Sequence, residues 1–285
     1  MAKGGRRLPG TTEMRLYEEA ALPPLWRLDG GRTLFVGTLD RNDAHEHGAP
    51  VFLSSLGAPF GLRLQGDDRW LLVDAAMIPA GIVHELNIGG APIAVLYAEP
   101  TIAGADALAA LISDGEERTG AVVGRSKVRR LVRDLYEDSA SLGWANEALD
   151  DLLGFGGRTG RRALDPRVAA AAQLLGMSDD ATLTLADVAP RVNLSASRLR
   201  RLFEAEIGVP FGRYRAWTRM RRALEAVTRG DNLTAAAHAA GFSDQAHFAH
   251  DFRRTFGAPA SRSLTGVRRQ APRPPASRQA PPHKA

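Results

Sequence analysis

The sequence predicts an α+β chain of two domains: an all-β front half with a following helical segment, then an all-α back half with two helix-turn-helix motifs joined by a long linker helix. Three features carry this expectation. Between Arg32 and Glu99 the apolar residues come in short runs, among them TLFVGTL, PVFLSSLG and PIAVLYAEP, several alternating with period two and punctuated by Gly, Pro and Asp-Asp. That spacing suits a β-barrel or sandwich. From Asp165 to Phe256 the pattern becomes helical. Charge divides along the same line: residues 1–165 hold 18 Lys/Arg against 23 Asp/Glu (−5), residues 166–270 hold 16 against 9 (+7), and residues 271–285 add three basic groups.

Composition narrows the class. The 285 residues suffice for two ordinary domains, and 44% apolar with 24% charged residues is the balance of a soluble globular chain. With no cysteine, disulfides, thiolate metal sites and thiol redox switching are excluded, and a metal would rest on His and carboxylates. The opening MAKGGRRLPGTTE has no apolar core after its basic residues, and no uninterrupted apolar run approaches the roughly 18 residues of a membrane span. A cytoplasmic location without a membrane partner is therefore expected. The basic back half predicts a polyanionic partner.

The front domain is placed at residues 1–153. Within it, ADALAALI and KVRRLVRDLYEDSASLGWANEALDDLL, in residues 104–153, take helical spacing and predict two or three helices that are candidates for dimerisation. GFGGRTGRR then predicts a flexible basic linker, placed at 154–164. Asp165-Pro166 opens the back domain, residues 165–265, with an acidic N-cap and a proline at the first helical position, where its missing N–H costs nothing. Residues 266–285, rich in Pro and Arg, predict a disordered basic tail.

Two similar units stand in the back domain. Thr184 and Asp187 fit a capping box that starts a short helix, and the chain turns through Asn193 into Ser195, the cap of a second helix. On that helix Leu199, Leu202, Phe203 and Ile207 share one side, with Ser197, Arg200, Arg201 and Glu204 opposite. About 48 residues on, LTAAAHAAG supplies another support helix ended by Gly241, and Ser243 is the expected cap of DQAHFAHDFRRTF. There Phe248, Phe252 and Phe256 form the buried stripe, His247, His250 and Arg254 lie opposite, and Ala246 and Arg253 flank them. Arg and His on a free edge can donate to guanine O6 and N7 in a major groove. Between the units FGRYRAWTRMRRALEAVTRG reads as one helix, with Trp217, Met220, Leu224 and Val227 inward and Arg215, Thr218, Arg222 and Glu225 outward. Its roughly 19 residues span about 28 Å, near the ~34 Å between successive major-groove faces.

The stretch from LADVAPRVNLSASRLRRLFEAEIG to GFSDQAHFAHDFRRTFGAPASRS resembles the DNA-binding domain of AraC/XylS-family bacterial transcription regulators over about 100 residues. The resemblance implies that Ser197, Arg200 and Arg201 contact bases and phosphates from the first reading helix, that Ala246, His247 and His250 do so from the second, and that Arg198, Arg215, Arg253 and Arg254 grip phosphates. It further implies double-stranded DNA as partner, a homodimer, RNA polymerase as a candidate contact, and a front domain that senses a small-molecule effector. Two departures from the family pattern stand in the first unit. Pro190 deletes a hydrogen bond late in the support helix, and Asn193 replaces a turn glycine, taking the left-handed conformation better than most residues.

In the front domain, Asp43-Ala44-His45-Glu46-His47 places two imidazoles two residues apart, and Pro79-Ala80-Gly81-Ile82-Val83-His84 supplies a third. Three nitrogen ligands suit Zn, Fe or Mn. Both segments resemble the half-motifs of cupin barrels, which makes the front domain a cupin-like β-barrel by resemblance. The glutamate that usually follows in catalytic cupins is replaced by Pro50-Val51-Phe52-Leu53. Three readings stay open for His45, His47 and His84: a metal site, a hydrogen-bonded histidine cluster at the barrel mouth, or a metal-free ligand pocket. The chain is accordingly expected to be a regulator without a catalytic residue, the alternative being a cupin metalloenzyme with an accessory DNA-binding domain.

Overall fold

The computed structural model describes residues 22–267 except 30, 103, 139, 158–163 and 179–182. The front half consists of antiparallel strands β1 (Leu25–Asp29), β2 (Arg32–Thr38), β3 (Arg41–His45), β4 (Val51–Ser55), β5 (Phe60–Leu64), β6 (Leu71–Val73), β7 (Ala75–Ile78), β8 (His84–Asn87) and β9 (Pro92–Ala98), then α1 (Ala105–Ala109), β10 (Ile112–Arg118), β11 (Ala121–Ser126), α2 (Arg129–Glu137) and α3 (Ala145–Gly157). They form a seven-stranded sheet, β1-β2-β9-β4-β7-β11-β10, and a four-stranded sheet, β3-β8-β5-β6. The expected closed barrel is not formed. Two sheets packed on a shared core replace it, because no ladder joins the edges of one sheet to those of the other.

Alternation along the strands explains the layers. Trp26, Phe35, Leu53, Ile78, Val95 and Tyr97 of the large sheet face Phe60, Leu62, Leu64 and Leu86 of the small one, while Leu25, Leu34, Phe52, Met77 and Leu96 point to the other side. That outer face is covered by α1, α2 and α3 through Leu108, Val132, Leu135, Tyr136, Ala145 and Leu153. Burial on both faces is why β2 and β4 read as continuous apolar runs. The described apolar residues of α2 and α3, candidates for dimerisation, thus lie against their own sheet.

The β10–β11 hairpin was not expected; where two or three helices were predicted over residues 104–153, α1, α2 and the start of α3 are found, with this ribbon inserted between the first two. Its turn takes positive φ at Thr119 (48°) and Gly120 (80°), the twist that two-residue hairpins favour. β10 is the charged edge of the sheet, with Glu116, Glu117 and Arg118 exposed, and such an edge resists pairing with another chain. The linker prediction also shifts: Gly154 to Gly157 complete α3, and residues 158–163 lie outside the described residues, as does the tail from residue 268.

The back half comprises α4 (Pro166–Met177), α5 (Leu185–Arg191), α6 (Ala196–Ile207), α7 (Phe211–Arg229), α8 (Leu233–Ala239), α9 (Gln245–Phe256) and α10 (Ser261–Leu264). Asp165 caps α4 by accepting from Arg167 N, Thr184 and Asp187 close the capping box on α5, and Ser195 caps α6. Pro190 sits within the short α5, and Asn193 takes φ +54° in the turn that follows. The cap of α9 is Asp244 rather than Ser243: its carboxylate accepts from His247 N at 2.7 Å. Gly208 and Gly257 end α6 and α9 in the left-handed conformation.

Helix α7 runs through the middle, packed against β1, α4, α6, α8 and α9. Its buried arc is therefore wider than the expected stripe. Thr218, placed outside by the sequence pattern, is 2% exposed and bonds its own helix at Arg215 O (2.9 Å). Among the described residues no helix is long and apolar enough to cross a membrane. The Phe248–Phe252–Phe256 stripe is buried, with adjacent ring centres 5.8 and 4.6 Å apart. Phe252→Ala should cost about 3–5 kcal/mol, read as a lower urea midpoint at unchanged slope; a loss under about 1 kcal/mol would mean α9 is not anchored this way.

Candidate nucleic-acid interface and sensor pocket

Helix α6 buries Leu199, Phe203 and Ile207 and leaves Ser197, Arg198, Arg200 and Arg201 exposed. Helix α9 buries its phenylalanines and leaves Ala246, His250, Arg253 and Arg254 exposed, with His247 half-buried. Each unit thus presents a polar, mostly cationic edge opposite an apolar one. Two expected phosphate contacts have partners inside the protein. The Arg215 guanidinium donates to Leu183 O at 2.7 Å, tying α7 to the segment before α5. Arg253 pairs with Asp43 of β3 at 3.0 Å, both ends remaining largely exposed.

The three front-domain histidines do come together. β3 pairs with β8 so that His45 lies opposite His84, and His47 follows just beyond the strand. Ring centres are 4.3 to 5.0 Å apart, all three residues are buried, and one ligand atom from each lies within 4.8 Å of the others. His45 Nδ1–H donates to Asp43 O (2.7 Å) and His84 Nδ1–H to Ile82 O (2.9 Å). Those bonds select the tautomer whose Nε2 carries a bare lone pair. His84 Nε2 and His47 Nδ1 are buried without a hydrogen-bond partner. Burial holds all three rings below the ordinary imidazole range, His84 at about 4, and the neighbouring rings add to the effect on His45 and His47.

His45 and His47 border an apolar pocket lined by Trp26, Phe35, Tyr97, Phe252 and Phe256, with Arg262 also in its lining. Its free volume is about 30 Å³, room for a water or two. Part of the lining comes from the back domain, and the two halves are sutured around it. Asn42 Nδ2 donates to Phe256 O (2.7 Å), Asp43 N to Gly257 O (2.8 Å) and Trp26 Nε1 to Ser263 O (2.8 Å). A Cβ at Gly257 would lie 2.4 Å from Asp43 O and 2.6 Å from His45 Nδ1, so only glycine permits this approach.

The strongest suture was not visible in the sequence. Glu99, just past β9 and 5% exposed, accepts from Tyr214 Oη, from Trp217 Nε1 (2.9 Å) and from Arg221 Nη1 (3.0 Å), all on α7. Arg221 Nε also donates to Thr33 Oγ1 (3.1 Å), and Arg213 pairs with Glu46. Burial and the Glu99 carboxylate push the Tyr214 phenol well above its usual range. With partners more than 100 residues away, no local pattern marks Glu99 as different from any other acidic turn residue.

Residues 188–265 match the helix-turn-helix domain family. Those residues form a helix-turn-helix domain. Over 110 residues it is 37% identical to the regulatory protein Ada of Salmonella typhimurium, covering 38% of this chain and 30% of that protein. It therefore spans under a third of the length of that curated relative. Among solved structures, the chain is similar to an apo single-residue variant of ToxT from Vibrio cholerae (TM-score 0.58, 12% identity, 84% of this chain and 98% of that one). It is also similar to unsaturated fatty acid-bound wild-type ToxT from the same organism (TM-score 0.56, 10% identity, 84% and 97%). At such identity the likeness is one of fold: a sheet-rich front region followed by a helical region that contains the helix-turn-helix domain.

The buried histidines make stability depend on pH. In the unfolded chain an imidazole titrates near 6.5; in the folded chain His84 titrates at about 4 and the other two are also depressed. The unfolded state binds protons first, so stability is complete above about pH 6.5 and falls as pH drops toward 4. Between pH 7.5 and 5, His84 alone should remove about 2 kcal/mol. Urea midpoints across that range test this, and His84→Gln should flatten the dependence; an unchanged slope in that variant would contradict burial of a neutral ring.

Proposed function

We propose that this chain is a sequence-specific DNA-binding transcription regulator whose front domain, residues 1–153, senses an effector and whose back domain, 165–265, reads DNA. The observation that carries the reading is the pair of helix-turn-helix units on one central rod, each with its aromatic side buried and its polar edge free. Ser197 and Arg200 on α6, with Ala246 and the histidine edge of α9, are suited to base edges; Arg198, Arg201, Arg253 and Arg254 are suited to phosphates, which position without specifying. The 19 residues of α7 give a rod of about 28 Å, so two reading helices can address neighbouring grooves of one DNA face.

The pocket supports the sensing half of the reading. With about 30 Å³ free, it admits an effector larger than a few atoms only if the α9–α10 side moves away from β3. Binding and the placement of the second reading helix are then linked, and an effector shifts the population between docked and released arrangements. ToxT, similar in fold, has been solved with an unsaturated fatty acid bound; a mostly apolar effector with one polar end suits the aromatic lining, Arg262 and the imidazoles here. The donor set also fits a divalent ion of the zinc or iron class, since two of the three rings keep an unpartnered nitrogen. His45, His47 and His84 would hold it, and it would supply a fixed positive charge at the seam. No acidic side chain joins the cluster among the described residues.

Selection from a random DNA pool by the full chain tests the reading. The expected winner has two short boxes about one helical turn apart, bound about 10³-fold more tightly than scrambled DNA at near-physiological salt. Arg200→Ala should relax preference at one position, whereas Arg254→Ala should weaken all sites alike and lower the salt slope by about one. Uniform weakening by every variant, with no enriched site, would reduce the domain to a nonspecific polyanion binder.

A further inference from the structure

The polar edge of α9 contains a carboxylate that repels DNA phosphate. Asp251 is only 20% exposed at its side chain and stands between the two imidazoles of that edge. Its Oδ2 accepts from Arg219 Nη2 of α7 at 2.6 Å and lies 3.6 Å from His247 Nε2; its Oδ1 is 3.4 Å from His250 Nδ1. Arg219 stacks on Phe242, its guanidinium carbon 4.3 Å from the ring centre. The carboxylate is therefore fixed to the central rod and not to a mobile surface group.

The two histidines differ in their freedom. His247 is engaged at both ends: Nδ1 is 3.1 Å from Ser243 Oγ and 3.5 Å from Ser243 N, and Nε2 faces Asp251. Its ring also meets Phe242 edge-on at 5.3 Å. His250 has only its Nδ1 engaged and is 75% exposed.

We propose that Asp251 is the positioning residue of the second reading unit: it orients the His250 ring and sets which nitrogen carries the proton, while His247 braces the α8–α9 turn instead of reading a base. The proposal rests on the DNA-reading role argued above. A carboxylate only accepts, so the nitrogen facing it carries hydrogen, and a neutral ring then presents Nε2 to the groove as an acceptor. In the major groove an acceptor matches the amino groups of adenine N6 or cytosine N4, not guanine O6 and N7. The base facing His250 is accordingly one with an amino group, a reversal of the guanine contact expected from residue type alone.

The test uses the full chain on its selected site at about pH 8, with affinities for all four base pairs at each position. His250→Ala and Asp251→Asn should both flatten the preference at the same base pair by about tenfold or more, with the salt slope unchanged; His247→Ala should retain it. Asparagine both donates and accepts, so it releases the ring to either tautomer. Long-range ¹⁵N–¹H correlation of the His250 imidazole in the wild-type chain should show hydrogen on Nδ1 and a bare Nε2, and this reading stands even if Asp251→Asn fails to fold. Hydrogen on Nε2, full discrimination by folded Asp251→Asn, or loss of discrimination in folded His247→Ala would each overturn the proposal. A wild-type chain that selects no site would sink the DNA-reading role itself, and the proposal with it.

Discussion

Glu99 joins the two halves of the molecule. A carboxylate withdrawn from water is costly unless paired and hydrogen-bonded, and among the described residues this one is satisfied by donors from the other half: Tyr214, Trp217 and Arg221. Those positions, spaced three and four apart, fall on one face of α7. The rotation of the central rod about its own axis is thereby set by a residue just past β9. Around this point the aromatic rings are continuous: Tyr97 lies 4.9 Å from Trp217, Trp217 6.2 Å from Phe256, and Phe256 6.0 Å from His47. Sheet interior, rod and second reading unit share one core.

The seam has a mixed character that bears on reversibility. Its aromatic part excludes water, but where the seam borders the histidine pocket its polar part is single bonds from Asn42, Asp43 and Trp26 to the carbonyls of Phe256, Gly257 and Ser263. A backbone carbonyl released from such a bond finds water, so each exchange has a net cost of only about 1 kcal/mol. Removing one partner of the Glu99–Arg221 pair while the seam stays closed is another matter, because the remaining charge is left buried. The seam is therefore stable as a whole, separable as a whole, and intolerant of half measures.

What the sequence revealed follows the range of the forces involved. The capping box at Thr184 and Asp187, the cap at Ser195, the left-handed Asn193 and the phenylalanine stripe of α9 are local, decided by residues within one or two turns, and the structure has them where the pattern placed them. The histidine cluster was legible too, since two half-motifs on neighbouring strands needed only a β3–β8 ladder to meet. Ser243 and Asp244 are both good caps in adjacent positions, and the choice between them turned on which side chain reached His247 N. The β10–β11 hairpin escaped notice because a charged edge strand has little apolar alternation to show. Thr218 was misplaced because a wheel assumes a single buried face, whereas α7 has neighbours around much of its circumference.

Helix α9 does three things with three parts of its surface. Its phenylalanines hold it to the back domain, its outer edge carries exposed polar groups, and its last turn lines the histidine pocket through Phe256, with the Gly257 cap seated against β3. Over 12 residues it is a stiff rod about 18 Å long. On the proposed reading, a ligand that makes room beside His47 moves the last turn, and stiffness carries that displacement to Ala246 and His250 without any chain of intermediate side chains. The ends of one helix then belong to different sites, and the close approach at Gly257, where even a methyl group would collide with Asp43 and His45, makes the coupling steep: the last turn is either seated against β3 or away from it, with little room between.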